Sequence, residues 1–168
     1  MKILATERLT LRTLEDADAP MYLRLVNEPS FIRNIGDRGL RTLDAALDAM
    51  RKGTIAMQAE RGFSMYVAEL ADGTPIGMCG LIKREALDDV DIGYAYFPEF
   101  WGQGYAYEAA RAVVEHARRD IGLPRLAAIV SPHNAGSIGV LQKLGFEFQK
   151  VIKMTDDDPG TNLYKLGL

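Results

Sequence analysis

Ile92-Gly93-Tyr94-Ala95-Tyr96-Phe97-Pro98-Glu99-Phe100-Trp101-Gly102-Gln103-Gly104-Tyr105-Ala106 is the stretch on which the reading of this chain turns. Apolar and aromatic residues run up to Phe97 and a proline stops them. Two glycines then precede Ala106, Ala110, Val113, Val114, Ala117 and Ile121, which recur at helical spacing. That is a strand, a loop and a helix. The first N–H groups of a helix have no partner inside it and carry the positive end of its dipole. Glycine beside them permits positive φ and close approach of a bulky anion. The loop is therefore suited to a pyrophosphate. A glycine turn that only lets the helix pack on a sheet has the same composition, so this segment by itself leaves both readings open. The third glycine of the dinucleotide fingerprint is missing, since Tyr107 stands there, and no Walker sequence occurs.

Working outward, Gly122-Leu123-Pro124 stops the helix, with a capping glycine followed by proline. Leu126–Val130 is a short apolar strand. Asn134 opens a helix with Ile138, Leu141 and Leu144 inward, and Gly145 ends it. Phe146–Ile152 and Leu163–Leu166 are further strands on either side of the polar run Asp156–Gly160. Toward the N-terminus, Val90–Phe97, Ile76–Lys83 and Phe63–Leu70 are strands joined by turns, the strongest signal being Asp72-Gly73. Before them come a helix from about Thr42, a loop or broken helix over Pro29–Arg41, and a helix through Met21, Leu25 and Val26. The first strand alternates over Leu9–Leu14. The order β-α-α-β-β-β-α-β-α-β-β predicts an α/β (α+β) mixed sheet. It is antiparallel in front, with one parallel crossover through the long helix. With 168 residues, no repeat and no linker, one domain over 1–168 is expected.

Composition narrows the function classes. Lys plus Arg total 20 and Asp plus Glu 23, a net charge of −3. No general attraction to phosphate backbones or anionic lipids follows, so neither nucleic acid nor membrane is expected as a partner. The apolar runs are short of a membrane span and the N-terminus has no signal-peptide core, which suggests a cytoplasmic protein. The single cysteine, Cys79, lies in an apolar stretch and reads as a buried, inert thiol. No Cys/His cluster points to a metal.

Three separated motifs give the chain a resemblance to the GNAT superfamily of acyl-coenzyme A N-acyltransferases. The family's pyrophosphate loop follows its fourth strand and reads Arg/Gln-x-x-Gly-x-Gly/Ala; here it is Trp101-Gly102-Gln103-Gly104-Tyr105-Ala106, with Trp101 departing from the first position. The Trp-Gly-x-Gly-Tyr-Ala form resembles the Rim-type branch that acetylates the N-termini of ribosomal proteins. The opening Thr6-Glu7-Arg8-Leu9-x-Leu11-Arg12 and the stretch Asn134-x-x-Ser137-x-x-Val140-Leu141-x-Lys143-Leu144-Gly145-Phe146 are similar to it too. The resemblance covers nearly the whole chain, in order.

It implies a mostly antiparallel, seven-stranded sheet, splayed at a central parallel pair and with helices on both faces. Acetyl-CoA would be the co-substrate and no metal would be needed. The pantetheine arm would pair with the main chain near Tyr96 and Phe97. The N–H groups of Gln103, Gly104, Tyr105 and Ala106, after the turn at Gly102, would hold the pyrophosphate. Asn134 would face the pantetheine, serve as a plain N-cap, or do both. The oxyanion donor would be a backbone N–H at Tyr94 to Tyr96. Asp91 stands where many members have a catalytic Glu; the other reading is a solvent-facing carboxylate beside Asp88 and Asp89. A tyrosine acid five residues before Phe146 is absent, because Leu141 is there. Ser137 stands where the ribosomal branch is proposed to have its acid, and a first-turn hydrogen bond is the alternative. Glu108 reads as a charge complementing the dipole, and Glu99 as a weaker candidate base.

The acceptor site is expected between Pro29–Arg41 and Lys83–Asp89, with Phe31, Arg33 and Asn34 lining it. The arginines there would orient an acidic substrate or simply be solvated. The substrate would be a primary amine, on a peptide N-terminus or a small molecule, attacked directly in a ternary complex by a monomer or homodimer. A non-catalytic acyl-coenzyme A sensor is the alternative.

Overall fold

The computed structural model describes residues 1–168. The chain opens with two strands, β1 (Lys2–Ala5) and β2 (Leu9–Thr13), and a 3-10 turn over Asp16–Asp18. The helices α1 (Ala19–Val26), α2 (Pro29–Asn34) and α3 (Leu43–Met50) follow. Thr42 caps α3 by accepting the Ala45 N–H at 3.1 Å. A π-helical turn (Arg51–Ile55) carries α3 on into α4 (Ala56–Arg61), which Gly62 ends in the left-handed conformation.

Next come β3 (Met65–Leu70), β4 (Pro75–Ile82) and β5 (Asp91–Tyr96), an antiparallel meander. The long helix α5 (Tyr105–His116) leads through a second π-helical turn (Ala117–Ile121) to β6 (Arg125–Val130). The chain closes with α6 (Ala135–Leu144), β7 (Glu147–Ile152) and β8 (Thr161–Gly167). The sheet order is β1-β2-β3-β4-β5-β6-β8-β7.

The sheet has eight strands rather than the expected seven, because β1 lies outside β2 as an edge. Its four residues, Lys-Ile-Leu-Ala, show no alternation. They are extended because β2 supplies their hydrogen-bonding partners, with Thr6 N–H closing the turn on Leu9 O at 2.8 Å. The expected broken helix at Pro29–Arg41 resolves into six residues of helix followed by an irregular segment.

Alternation sorts the central strands onto two cores. Tyr66, Ala68, Cys79, Leu81, Ile92 and Tyr96 pack under α5 and α6 against Ala109, Ala110, Val113 and Leu141. Val67 and Met78 face the other way, toward Leu25 of α1 and Met50 of α3, with Ala95 packed beside them. Both faces being covered explains why β4 reads as an almost unbroken apolar run.

Gly80 shows how tight the meander is, since a methyl there would stand 2.2 Å from Ser64 O and 2.6 Å from Met65 Cα. Gly80→Ala is expected to cost about 3 kcal/mol. Gly139 lies in α6 with nothing within 4 Å of an added methyl, and Gly139→Ala should gain roughly 0.5–1 kcal/mol. Urea-unfolding midpoints of the two variants against the parent check both signs.

Candidate active site

The strands β5 and β6 are parallel neighbours joined at one bridge, Asp91 to Ala127, where Ala127 N–H donates to Val90 O at 2.9 Å. Beyond it they part. The hydrogen-bond phase of β5 fixes what faces the opening. Phe97 N–H donates to Ile76 O at 3.0 Å, and the β4–β5 register is unbroken. The backbone groups of Asp91, Gly93, Ala95 and Phe97 therefore turn toward β4, and those of Tyr94 and Tyr96 turn toward β6. The Tyr96 carbonyl accepts the Trp101 indole N–H at 3.0 Å. The N–H groups of both tyrosines and the Tyr94 carbonyl are left facing the wedge.

Phe97 does not join this row. Its N–H is engaged by β4, its carbonyl accepts Phe100 N–H at 3.0 Å, and its ring is buried beneath the Arg24 guanidinium.

At the open end of the wedge stands the glycine loop. Gly102 and Gly104 have φ of 73° and 84°, the left-handed region that glycine adopts without strain. Glu108 N–H is the first to turn back into α5, onto Gly104 O at 3.1 Å. The N–H groups of Gly104, Tyr105, Ala106 and Tyr107 have no partner in the chain.

Side chains hold this loop in place. The Trp101 indole ties it to β5, and Arg8 donates to Gln103 O at 2.9 Å while pairing with Glu108 at 2.7 Å. The Arg8 guanidinium also lies 4.3 Å from the centre of the Tyr105 ring. Glu108 thus ties the β1–β2 turn to α5, besides complementing the dipole. A groove of about 530 Å³ runs alongside, between Thr6, Arg8, Tyr107 and Arg111. Unpartnered N–H groups, a helix dipole and a neighbouring arginine together suit a pyrophosphate.

Asp91 sits at the vertex of the wedge, 1% exposed, which rules out the solvent-facing reading. It shares a sheet face with Gly93 and Ala95, the side covered by α1 and α3. Arg84 Nε lies 3.1 and 3.3 Å from its two carboxylate oxygens. Burial pushes the Asp91 carboxyl up to about 6, against the pull of Arg84.

On the opposite face Tyr94 reaches to α6, its hydroxyl 2.9 Å from Ser137 Oγ and 3.2 Å from Ser137 O. Burial raises the Tyr94 phenol. Asn134 caps α6, its Oδ1 accepting Ser137 N–H at 3.2 Å. Cys79 is fully buried, and burial pushes its thiol up to about 12, as expected of an inert cysteine.

Asn34 is tied to the far wall of the wedge. Its carbonyl accepts Ser131 Oγ–H at 2.8 Å, and its side chain lies 3.2 Å from His133 Nε2, just after β6. Phe31 packs toward the α1–α3 core, with Arg38 over its ring. Arg33 is exposed. Arg41 pairs with Asp37 and Asn27, and Glu99 with Arg24. The sequence reading gave no role to Arg84, Arg8, Ser131 or His133, although Arg8 lies in the opening motif and Arg84 in the Lys83–Asp89 stretch expected at the acceptor site.

Known proteins share this fold. The acetyltransferase (GNAT) domain family matches residues 8–147. A Bacillus subtilis protein named Uncharacterized N-acetyltransferase YoaA is 27% identical over 98% of this chain and 96% of its own length. The crystal structure of an acetyltransferase from Agrobacterium tumefaciens superposes with a TM-score of 0.84 at 27% identity, covering 100% of this chain and 95% of that one. RimL, a ribosomal alpha-N-protein acetyltransferase solved in complex with coenzyme A, superposes with a TM-score of 0.86. It is 19% identical, covers 100% of this chain and 98% of that one, and so speaks for the fold alone.

Gly104→Glu puts charge and bulk at a left-handed position facing the unpartnered N–H groups. It is expected to weaken acetyl-CoA binding at least roughly tenfold while the far-UV circular dichroism stays unchanged. Isothermal titration of parent and variant checks this.

Proposed function

This chain belongs to the GNAT acetyltransferase family and is an acetyl-CoA-dependent N-acetyltransferase, and from that premise we propose how its residues divide the work. The observation that carries the reading is the parting of β5 from β6. It leaves a row of main-chain donors aimed along the wedge toward the N-terminus of α5.

The donor lies in the wedge. The N–H groups of Gln103, Gly104, Tyr105 and Ala106 hold its pyrophosphate, and Tyr94 and Tyr96 pair with the pantetheine as a neighbouring strand would. Asn134 keeps its capping bond and borders the same space. The amine approaches from the face bearing Asp91, Gly93 and Ala95, past Met65 and Ile82, which lie against Gly93. Phe31, Arg33 and Asn34 border that approach.

Asp91 takes a proton from the acceptor ammonium, directly or through a water, so that the nitrogen lone pair can attack. A carboxyl near 6 holds mostly its base form at neutral pH while remaining a competent acceptor. A backbone N–H of Tyr94 or Tyr96 donates to the thioester oxygen as negative charge gathers there. As the C–S bond breaks, Ser137 Oγ–H, bonded to the Tyr94 hydroxyl, supplies a proton to the departing sulfur, and the proton that the new amide nitrogen gives up to solvent balances the one that returns to Ser137. Holding both reactants in one cleft contributes much of the acceleration, roughly 7–11 kcal/mol in favourable cases.

The acceptor is a primary amine on a small molecule or a peptide N-terminus. The chain works as a single domain, alone or as a homodimer.

Two outcomes are expected. With parent protein, kcat/KM falls about tenfold per pH unit below about 6 and levels off above it, because protonated Asp91 cannot accept. Asp91→Asn lowers the plateau and removes that limb. Stability moves the other way. The native carboxyl binds its proton up to about 6 and the unfolded one only to about 3.8, so unfolding free energy declines as pH rises through that window. A limb that persists unchanged in Asp91→Asn assigns the base elsewhere. Second, Ser137→Ala is expected to lower kcat at least roughly tenfold with little change in KM for acetyl-CoA. Stopped-flow thiol release measures it, and an unchanged kcat means the thiolate leaves without this acid.

A further inference from the structure

We propose that Arg84 receives a carboxylate of the acceptor, so that the preferred substrates are amines carrying a carboxylate within a few bonds of the reacting nitrogen; this rests on the acceptor approach described above. Asp91 engages Arg84 Nε alone, at 3.1 and 3.3 Å, and neither terminal nitrogen of the guanidinium hydrogen-bonds within the chain. The side chain keeps 30% of its surface exposed, whereas that of Asp91 keeps 1%. The carboxylate therefore grips the inner edge of a planar group whose outer edge is left open. That edge presents parallel N–H donors, which match a carboxylate and which an ammonium cannot mimic.

The loop that carries Arg84 is pinned. Lys83 Nζ donates to Arg84 O at 2.8 Å and also to Leu87 O, closing the turn on itself, while Leu87 is buried against Ala127 and Leu163. A fork on a pinned backbone, with its inner edge fixed by a buried partner, loses little freedom on binding.

Lys83 and Arg84 are the cations that act on the Asp91 carboxylate, while Glu85 and Asp88 on the same loop are exposed to solvent. The neighbouring Asp89 is already engaged by Arg125 and Lys165, at 3.4 and 3.1 Å. A second ammonium group placed at the open edge of Arg84 would face a like charge and be disfavoured; a carboxylate there would meet free N–H donors. Asp91 thereby has a second task, positioning Arg84, and the two tasks suit one substrate. The ammonium lies toward the Asp91 oxygens and the carboxylate against the adjacent guanidinium edge.

Two sources of such a carboxylate exist, the α-carboxylate of a free amino acid and the side chain of an acidic first residue in a peptide. Matched acceptors distinguish them: methionine against methioninamide, and the peptide amide Asp-Ala-Ala against Asn-Ala-Ala. With acetyl-CoA saturating, the parent is expected to favour the acid over its neutral partner at least roughly tenfold in kcat/KM in one of the two pairs. The difference should lie mainly in KM. In Arg84→Gln the ratio is expected to fall below about threefold, and in Arg84→Lys to an intermediate value, because charge is kept and the fork is lost. The acetyl-CoA Kd should be unchanged in both variants.

A ratio near one in both pairs overturns the proposal, as does an equal loss for acid and amide in Arg84→Gln, which would mean that Arg84 acts only through Asp91. A binding arm is independent of turnover. Coenzyme A-loaded protein is titrated with the N-acetylated acids and amides, and the acid of one pair should bind at least roughly tenfold tighter in the parent only; no discrimination overturns the proposal. Failure of acetyl-CoA itself to bind would instead sink the acyl-transfer reading, and this inference with it.

Discussion

Two parallel strands that meet at one bridge and then separate set the terms for the rest of the molecule. A β-strand within a sheet satisfies its main-chain donors and acceptors on both sides. The strand β5 does so toward β4 along its whole length, but toward β6 only at Asp91 and Ala127. The tyrosine N–H groups beyond that bridge need a partner that the chain does not supply. Unsatisfied main-chain groups are costly when buried, and here they line an opening that a ligand can fill. The site is thus a defect in sheet pairing that the surrounding core makes rigid.

What keeps the defect open is packing on both faces. Above it, α5 and α6 bury Ile92, Tyr96 and Leu126 in the larger core. Below it, Leu87, Ala127 and Leu163 fill the space beneath the β4–β5 turn. The Tyr94–Ser137 contact joins β5 to α6, and the Asn34–Ser131 contact joins the rim of the wedge to α2. At the ends of β5 stand two charged assemblies of opposite character. The glycine loop, with its helix dipole and Arg8, is electropositive at the open end. The vertex keeps a buried carboxylate beside a partly exposed arginine. One strand of six residues thereby carries both assemblies, one at each end.

Much of this was legible in the sequence, for identifiable reasons. The strand–loop–helix around Gly102 and Gly104 shows itself by a change of period and by residues that only a tight turn requires. The capping role of Asn134 and the burial of Cys79 follow from local context. What stayed hidden needs pairing partners. The strand β1 has no pattern of its own and is created by β2. The exclusion of Phe97 from the wedge depends on hydrogen-bond phase, which no composition encodes. The sequence left Asp91 equally readable as a surface carboxylate, and only the vertex geometry buries it. Asn34 and Ser131 meet across 97 residues, a contact that no local window contains. Trp101, a departure from the family motif, turns out to tie the loop to the strand through its indole N–H.

The central claim is that the main-chain row on β5 and the N-terminus of α5 form one donor site. Residue-resolved amide hydrogen exchange, with and without coenzyme A, tests it most directly. The account predicts that the amides of Tyr94, Tyr96, Gly104, Tyr105 and Ala106 gain protection on binding, while those of Ala95 and Phe97, already bonded to β4, stay as they were. Protection gained elsewhere, with Tyr94 and Tyr96 unchanged under saturating coenzyme A, would contradict it.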